Sequence, residues 1–332
     1  MMFISTSDFF PVPAFQHVET LYQPDSSLSF VYQPSQLTIL MKFDAFCETF
    51  PRVAEDCLPP SLQERVTSTT LIPVFHMPPQ LTADLFSPGE SHESGVMVKV
   101  RRGTPGVLPA SDAGIYEAFA HKELAPKSPF VLPLLGACQG CTTGNVYMFT
   151  PLLQGDIRRV AVQHPSQCIS GELVLKEMAA SLKVLHDAGL VHGDVKEQNF
   201  FVGRDGHVVI ADFGALGYPG CSLEAGTLGY IAPERLVNDN ANSFASDIWA
   251  LGVTFKNVLT ALRATVRADR EVLDGLSNRM TASDPAARPS VDDVLLDPCL
   301  SAPPSLASHD VAPFTPDAFG YYCLTGATNT SD

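Results

Sequence analysis

Positive charge is scarce in this chain, and so are long apolar runs. Lysine and arginine total 21 against 36 aspartates and glutamates, a formal net charge of -15, and no basic cluster occurs. A nucleic-acid partner needs a basic face to meet its phosphates, so that class is excluded, whereas a basic protein substrate suits the charge. No run of about 18 uninterrupted apolar residues is present, which leaves no transmembrane segment. The opening MMFISTSDFFPVPAF lacks both a basic stretch and a continuous apolar stretch, unlike a secretory signal. The chain therefore reads as cytoplasmic, or as secreted if its true start lies elsewhere. Cys138 and Cys141 form a C-x-x-C, but no second pair completes a zinc site. The eight cysteines are irregularly spaced and are expected to be free, those two as turn thiols. There is no internal repeat, and nothing in the sequence sets an oligomeric state.

What is present is enough apolar material for a sizeable core: 45% hydrophobic and 17% charged residues in 332. Residues 1–68 mix prolines, aromatics and serines without a sustained period and read as an extension, partly disordered or draped on the domain. Residues 69–300 form the domain, and the proline-, serine- and threonine-rich 301–332 a tail.

Within the domain the pattern changes midway. GVMVKVRRG is a short β-branched run bounded by glycines, a strand. SDAGIYEAFAHKEL reads as a helix with Asp112 as N-cap. PFVLPLLGAC and NVYMFTPLL look like two strands joined by the turn QGCTTG. In SGELVLKEMAASLKVLHDAG, Leu175, Met178, Ala179, Leu182 and Leu185 follow the three-and-four spacing of a buried helix face, and Gly189 ends it. Helices dominate from there, SDIWALGVTFKNVLTAL among them. The division places a β-rich part at 69–152 and a helical part at 153–300.

The stretch VHGDVKEQNFFVGRDGHVVIADFG carries the chemistry. His192, Asp194, Lys196 and Asn199 precede two short apolar runs around a glycine-containing turn, a hairpin that returns Asp212 beside Asp194 and Asn199. Magnesium prefers hard oxygen ligands and commonly takes one or two carboxylates plus substrate phosphates. That suits Asn199 and Asp212 as metal ligands and leaves Asp194 to orient an acceptor hydroxyl, a layout for phosphoryl transfer.

This stretch resembles the catalytic loop of the eukaryotic protein kinase superfamily, H-R-D followed by lysine and asparagine and then D-F-G. Here the arginine is Gly193, and histidine-glycine-aspartate also opens the loop of small-molecule phosphotransferases. AGTLGYIAPERL resembles the substrate-binding end of a protein kinase activation segment, with Thr227 where the family contacts the catalytic aspartate and Ala232-Pro233-Glu234 as its anchor. Asp247, Trp249 and Gly252 match the following D-x-W-x-x-G, and Arg288 falls where the family pairs an arginine with that glutamate. Small-molecule phosphotransferases lack this set. Lys196, two residues after Asp194, resembles serine/threonine kinases.

The resemblance, over residues 96 to 300, implies an α+β, bilobal protein-kinase-like fold: a small β-rich N-lobe with one main helix and a larger helical C-lobe. It implies ATP and Mg2+ as cofactors and a protein hydroxyl as acceptor. Lys99 in VMVKV takes the place of the phosphate-contacting lysine, with Glu117 as ion-pair partner and Glu123 as second choice. Thr150 stands at the gatekeeper, Pro151 to Leu153 at the adenine-holding hinge, and His192 braces the loop. Asp194, Lys196 and Lys99 are thus the catalytic set. The glycine-rich loop that should precede Lys99 is absent; Gly89 and Gly95 are too few and too close to it. A chain with these residues and no such loop resembles the with-no-Gly-loop kinases, a divergent group related to apicomplexan rhoptry kinases, which implies secretion into a parasite's vacuole. The missing loop also keeps open a pseudokinase that serves as a binding scaffold, and Gly193 a small-molecule phosphotransferase.

Overall fold

A computed structural model describes residues 42–63, 69–86, 95–103, 113–163, 171–203, 207–221, 226–238, 241–261 and 270–301. Residues 1–41, Gly89, the expected cap Asp112, Ser222 in the loop and the tail beyond Ser301 lie outside the described residues. The chain divides into two compact units. One comprises residues up to Glu123 together with Pro133–Leu152; the other comprises Leu124–Leu132 and the residues from Leu153 onward.

The first unit is built on a five-stranded sheet of order β1-β4-β5-β3-β2, where β1 is Arg52–Val53, β2 Thr70–Val74, β3 Val96–Arg101, β4 Gly136–Gly140 and β5 Val146–Pro151. Strict alternation along β3 sends Val96, Val98 and Val100 into a core with Leu58, Leu62, Val74, Tyr147 and Phe149. The same alternation puts Met97, Lys99 and Arg101 on the opposite face. Among the described residues three helices complete the unit: α1 (42–48), α2 (Pro79–Leu85) and α3 (Ala113–Leu124). In α3, Ile115, Tyr116, Ala118, Phe119 and Ala120 are all buried, so it is apolar on most sides, as a core helix must be. Phe43 of α1 meets Tyr116 edge-on at 5.6 Å and Phe119 at 5.3 Å. The described part of the first 68 residues is thus packed into this unit, and β1 pairs in parallel with β4, Val53 opposite Gly140.

Two readings of this region differ from the structure. The expected strand over PFVLPLLGAC is confined to its last residues, because Pro129 and Pro133 carry no N–H to donate to a ladder; the strand begins at Gly136. Cys138 lies in β4 within the core, where burial pushes its thiol up to about 12, and only Cys141 is an exposed turn thiol.

The second unit is helical: α4 (Ile157–Gln163), α5 (Gly171–Asp187), α6 (Phe244–Ala261), α7 (Arg270–Met280), α8 (Val291–Leu295) and α9 (Pro298–Ser301) surround a small sheet of order β6-β7-β8. The face of α5 read from its spacing is fully buried, each leucine there contributing about 1.5–3 kcal/mol. Gly189, at φ +75°, closes α5: its amide donates to His186 O and that of Leu190 to Leu185 O, the paired bonds of a left-handed C-cap. β7 (Phe200–Val202) and β8 (Val208–Ile210) form the expected hairpin, Phe200 opposite Ile210, while β6 (Gly155–Asp156) adds to β7. Gly252 lets α6 and α7 meet closely, since a Cβ there would stand 2.7 Å from Met280 Cβ. The architecture is α+β, one sheet-rich unit with one main helix and one helical unit. Among the described residues no helix is long and apolar enough to cross a membrane.

Candidate active site

In the first unit the site residues stand on β3, β5 and α3. Lys99 Nζ donates to Glu117 Oε1 at 2.7 Å, and Arg101 Nη1 donates to Glu117 Oε2 at 3.0 Å. The Glu117 side chain is 0% exposed. A carboxylate so deeply buried persists only when paired and hydrogen-bonded, and here one strand supplies both cations at a two-residue spacing. Glu123, the second choice, instead pairs with Lys42 of α1 at 2.7 Å on the surface. Arg101 shares the period-2 face of Lys99, but nothing local to the strand names Glu117 as its partner. Thr150, buried on β5 opposite Met97, donates its hydroxyl to Met97 O at 3.3 Å. Pro151 ends that strand.

In the second unit Leu153, like Phe201, packs against Leu132, Val209 and Ala211. The loop after α5 gathers the rest. Lys196 Nζ donates to Asp194 Oδ2 at 2.5 Å and to Thr227 Oγ1 at 2.8 Å, and the Thr227 hydroxyl donates to Asp194 Oδ1 at 2.8 Å. Asn199 is buried; its Nδ2 donates to Asp194 O at 2.8 Å, and its own carbonyl accepts from Ala211 N at 2.9 Å. That last bond seats Asp212, the next residue, at the end of the hairpin. Among the described residues Asp212 is the one non-glycine with positive φ, 64°, a left-handed conformation that aspartate tolerates and that recurs at functional sites.

Below these groups a buried frame fixes the backbone. Asp247 at the start of α6 accepts from His192 N at 2.7 Å and Gly193 N at 3.0 Å, with His186 Nε2 at 3.1 Å. His192 accepts from Asp194 N at Nδ1 (3.3 Å) and stands with Nε2 3.2 Å from Ala211 O. An acceptor Nδ1 places the ring proton on Nε2, donating to that carbonyl, so this histidine braces two loops. Gly193 sits at φ +80°, where a side chain is strained, and its carbonyl accepts from Arg235 Nη1 at 2.9 Å. Glu234 and Arg288 form a bidentate pair at 2.6 and 2.7 Å, with the guanidinium 5.0 Å from the Trp249 ring centroid.

Two further partners were invisible in the sequence. Glu197, between Lys196 and Gln198, accepts from the Tyr230 hydroxyl at 2.7 Å, and Asn257 of α6 donates to that hydroxyl at 3.1 Å. They stand 33 and 27 residues from their partners, beyond any local period.

In the second unit, a carboxylate held by a lysine and a hydroxyl, with a buried asparagine and a left-handed aspartate at the end of one hairpin, suits transfer of a charged group to a hydroxyl; the lysine–glutamate pair belongs to the sheet of the first unit. The comparisons agree. The protein kinase domain family matches residues 110–273. The serine/threonine-protein kinase WNG1 of Toxoplasma gondii is 37% identical over 63% of this chain and 32% of its own length. Bradyzoite pseudokinase 1 of the same organism is 31% identical over 63% of this chain and 60% of its own. The chain thus spans about a third of the first relative and under two thirds of the second. A solved Toxoplasma kinase, described as divergent and lacking the glycine-rich loop, superposes with a TM-score of 0.63 at 26% identity, covering 82% of this chain and 95% of that one. This chain carries a protein kinase domain and is similar to kinases that include one without a glycine-rich loop.

Proposed function

We propose that the chain is an active serine/threonine kinase that transfers the γ-phosphoryl of ATP to a hydroxyl of a basic protein. The observation that carries this reading is the Asp194 carboxylate, held on one oxygen by Lys196 and on the other by Thr227, a geometry that aims it at one acceptor site. Asp194 orients the acceptor hydroxyl and takes its proton. Lys196 neutralises charge on the transferring group, and Lys99, fixed by Glu117, positions the nucleotide phosphates. Thr150, Pro151 and Leu153 hold the adenine. Asn199 and Asp212 fit Mg2+ by the chemistry of their donors: with Asn199 Nδ2 committed to Asp194 O, the amide carbonyl oxygen and the Asp212 carboxylate would supply hard-oxygen ligands. When bound, Mg2+ neutralises phosphate charge. The vacuole membrane whose ultrastructure the solved Toxoplasma kinase is described as regulating is part of the same proposal as a setting.

Radiolabelled transfer from ATP to a basic protein, with Mg2+ and with chelator, tests it. Mg2+-dependent labelling supports the kinase; transfer confined to small alcohols overturns the protein acceptor. A second reading, a scaffold without turnover, is favoured by the 31% identity to a pseudokinase; no nucleotide binding at about millimolar ATP would select it.

Gly193 sharpens the regulation. Many kinases place an arginine there to pair with a phosphorylated loop. Here the position carries no side chain, and its carbonyl is held by Arg235. Phosphatase treatment is therefore expected to leave most of the activity. A large loss, restored by rephosphorylation at Ser222 or Thr227, would contradict this.

A further inference from the structure

The segment after Gly226 is intrinsically pliable. Gly226 and Gly229 hold φ of +142° and +95°, conformations glycine enters freely and at the largest cost in chain entropy. Something must hold Thr227, which lies between them, on Asp194. Its own two bonds, to Asp194 and Lys196, secure one end. The other end is secured at Tyr230, whose hydroxyl joins three elements: it donates to Glu197 at 2.7 Å and accepts from Asn257 at 3.1 Å.

Glu197 is a carboxylate with a side chain only 5% exposed whose one ion pair among the described residues is weak. Arg158 stands 3.9 Å away and is itself 63% exposed, a contact that solvent screens. Asn257 Nδ2 lies at 3.4 and 3.5 Å from its oxygens. The short bond from Tyr230 is thus the principal compensation for burying this carboxylate. Burial and then that bond push the Tyr230 hydroxyl up to about 12, so it remains a donor at neutral pH. Because Glu197 directly follows Lys196, the two segments 194–197 and 227–230 are fastened at both ends.

We propose that Glu197 is a positioning residue for the protein acceptor: through Tyr230 it holds the Gly226–Ile231 segment in the register that keeps Thr227 on Asp194. The inference rests on the kinase reading for its catalytic consequence, but the anchoring itself does not.

The experiment compares Glu197→Gln, Tyr230→Phe and the double variant in the full chain. Each single variant is expected to lower kcat/KM for a basic protein acceptor about tenfold, the loss of one charge-assisted bond, with KM for ATP unchanged. The double variant should be no worse than either single one, since both remove the same link. Amide exchange over residues 226–231 should accelerate in all three while exchange in α5 and α6 stays at the wild-type level. Effects that multiply, a KM for ATP that moves with the acceptor's, or unchanged exchange over 226–231 would overturn the proposal. A wild-type chain that transfers no phosphate overturns the kinase reading instead, and the exchange result then decides the anchor by itself.

Discussion

On the proposed function, Asp194→Asn is expected to lower phosphoryl transfer by about 10²–10⁴-fold and to leave ATP affinity at the wild-type level. The carboxylate receives Lys196 on Oδ2 and the Thr227 hydroxyl on Oδ1. An amide of the same size replaces one of those acceptor oxygens by a donor, so either Lys196 or the Thr227 hydroxyl loses that acceptor, and the proton of the acceptor hydroxyl has no carboxylate to go to. The backbone at this position is set elsewhere, by His192 and by Asn199, so the variant keeps its fold. Steady-state kinetics with a nucleotide titration check both halves. Transfer retained within about a factor of two would remove Asp194 from the chemistry.

Arg288→Met destabilises the second unit by about 3–5 kcal/mol. The Arg288 side chain is 0% exposed, and its guanidinium bonds both oxygens of Glu234, Ala282 O at 2.8 Å and Ala245 O at 2.9 Å. Methionine fills much of the volume and satisfies none of these acceptors, leaving Glu234 as a largely buried carboxylate without its cation. Adding Glu234→Leu removes the stranded charge and is expected to recover part of the loss. Urea unfolding of the two variants measures the difference. A loss below about 1 kcal/mol, the scale of an exposed pair, would show that the pair is ornamental to stability.

How far the molecule was legible depended on the distance over which its signals act. Spacing within one loop and hairpin was enough to bring Asp194, Lys196, Asn199 and Asp212 to one end of β7 and β8, because two three-residue strands leave little freedom. The face of α5 and its glycine stop were written in a helical period and one left-handed residue. The ladder that places Thr150 opposite Met97 was not, since register across a sheet is settled by packing rather than by either strand alone. The same holds for β1, a two-residue strand that pairs in parallel with β4 from far upstream. The partners of Arg101, Glu197 and Asn257 carry no local signature; each is acquired when helices and loops close over a buried carboxylate. Pro129 and Pro133 show the converse, where an apolar run suggested a longer strand than its missing N–H groups permit.

The most direct measurement is single-turnover transfer from ATP to a basic protein by the wild-type chain and by Asp212→Asn, each across a Mg2+ titration. If the hairpin end holds the metal against the nucleotide, the wild-type chain labels the acceptor in a saturable, Mg2+-dependent way, and the variant needs far more Mg2+ or fails. Equal Mg2+ dependence in the two proteins, or a folded wild-type chain that labels nothing at saturating Mg2+ and ATP, would contradict it.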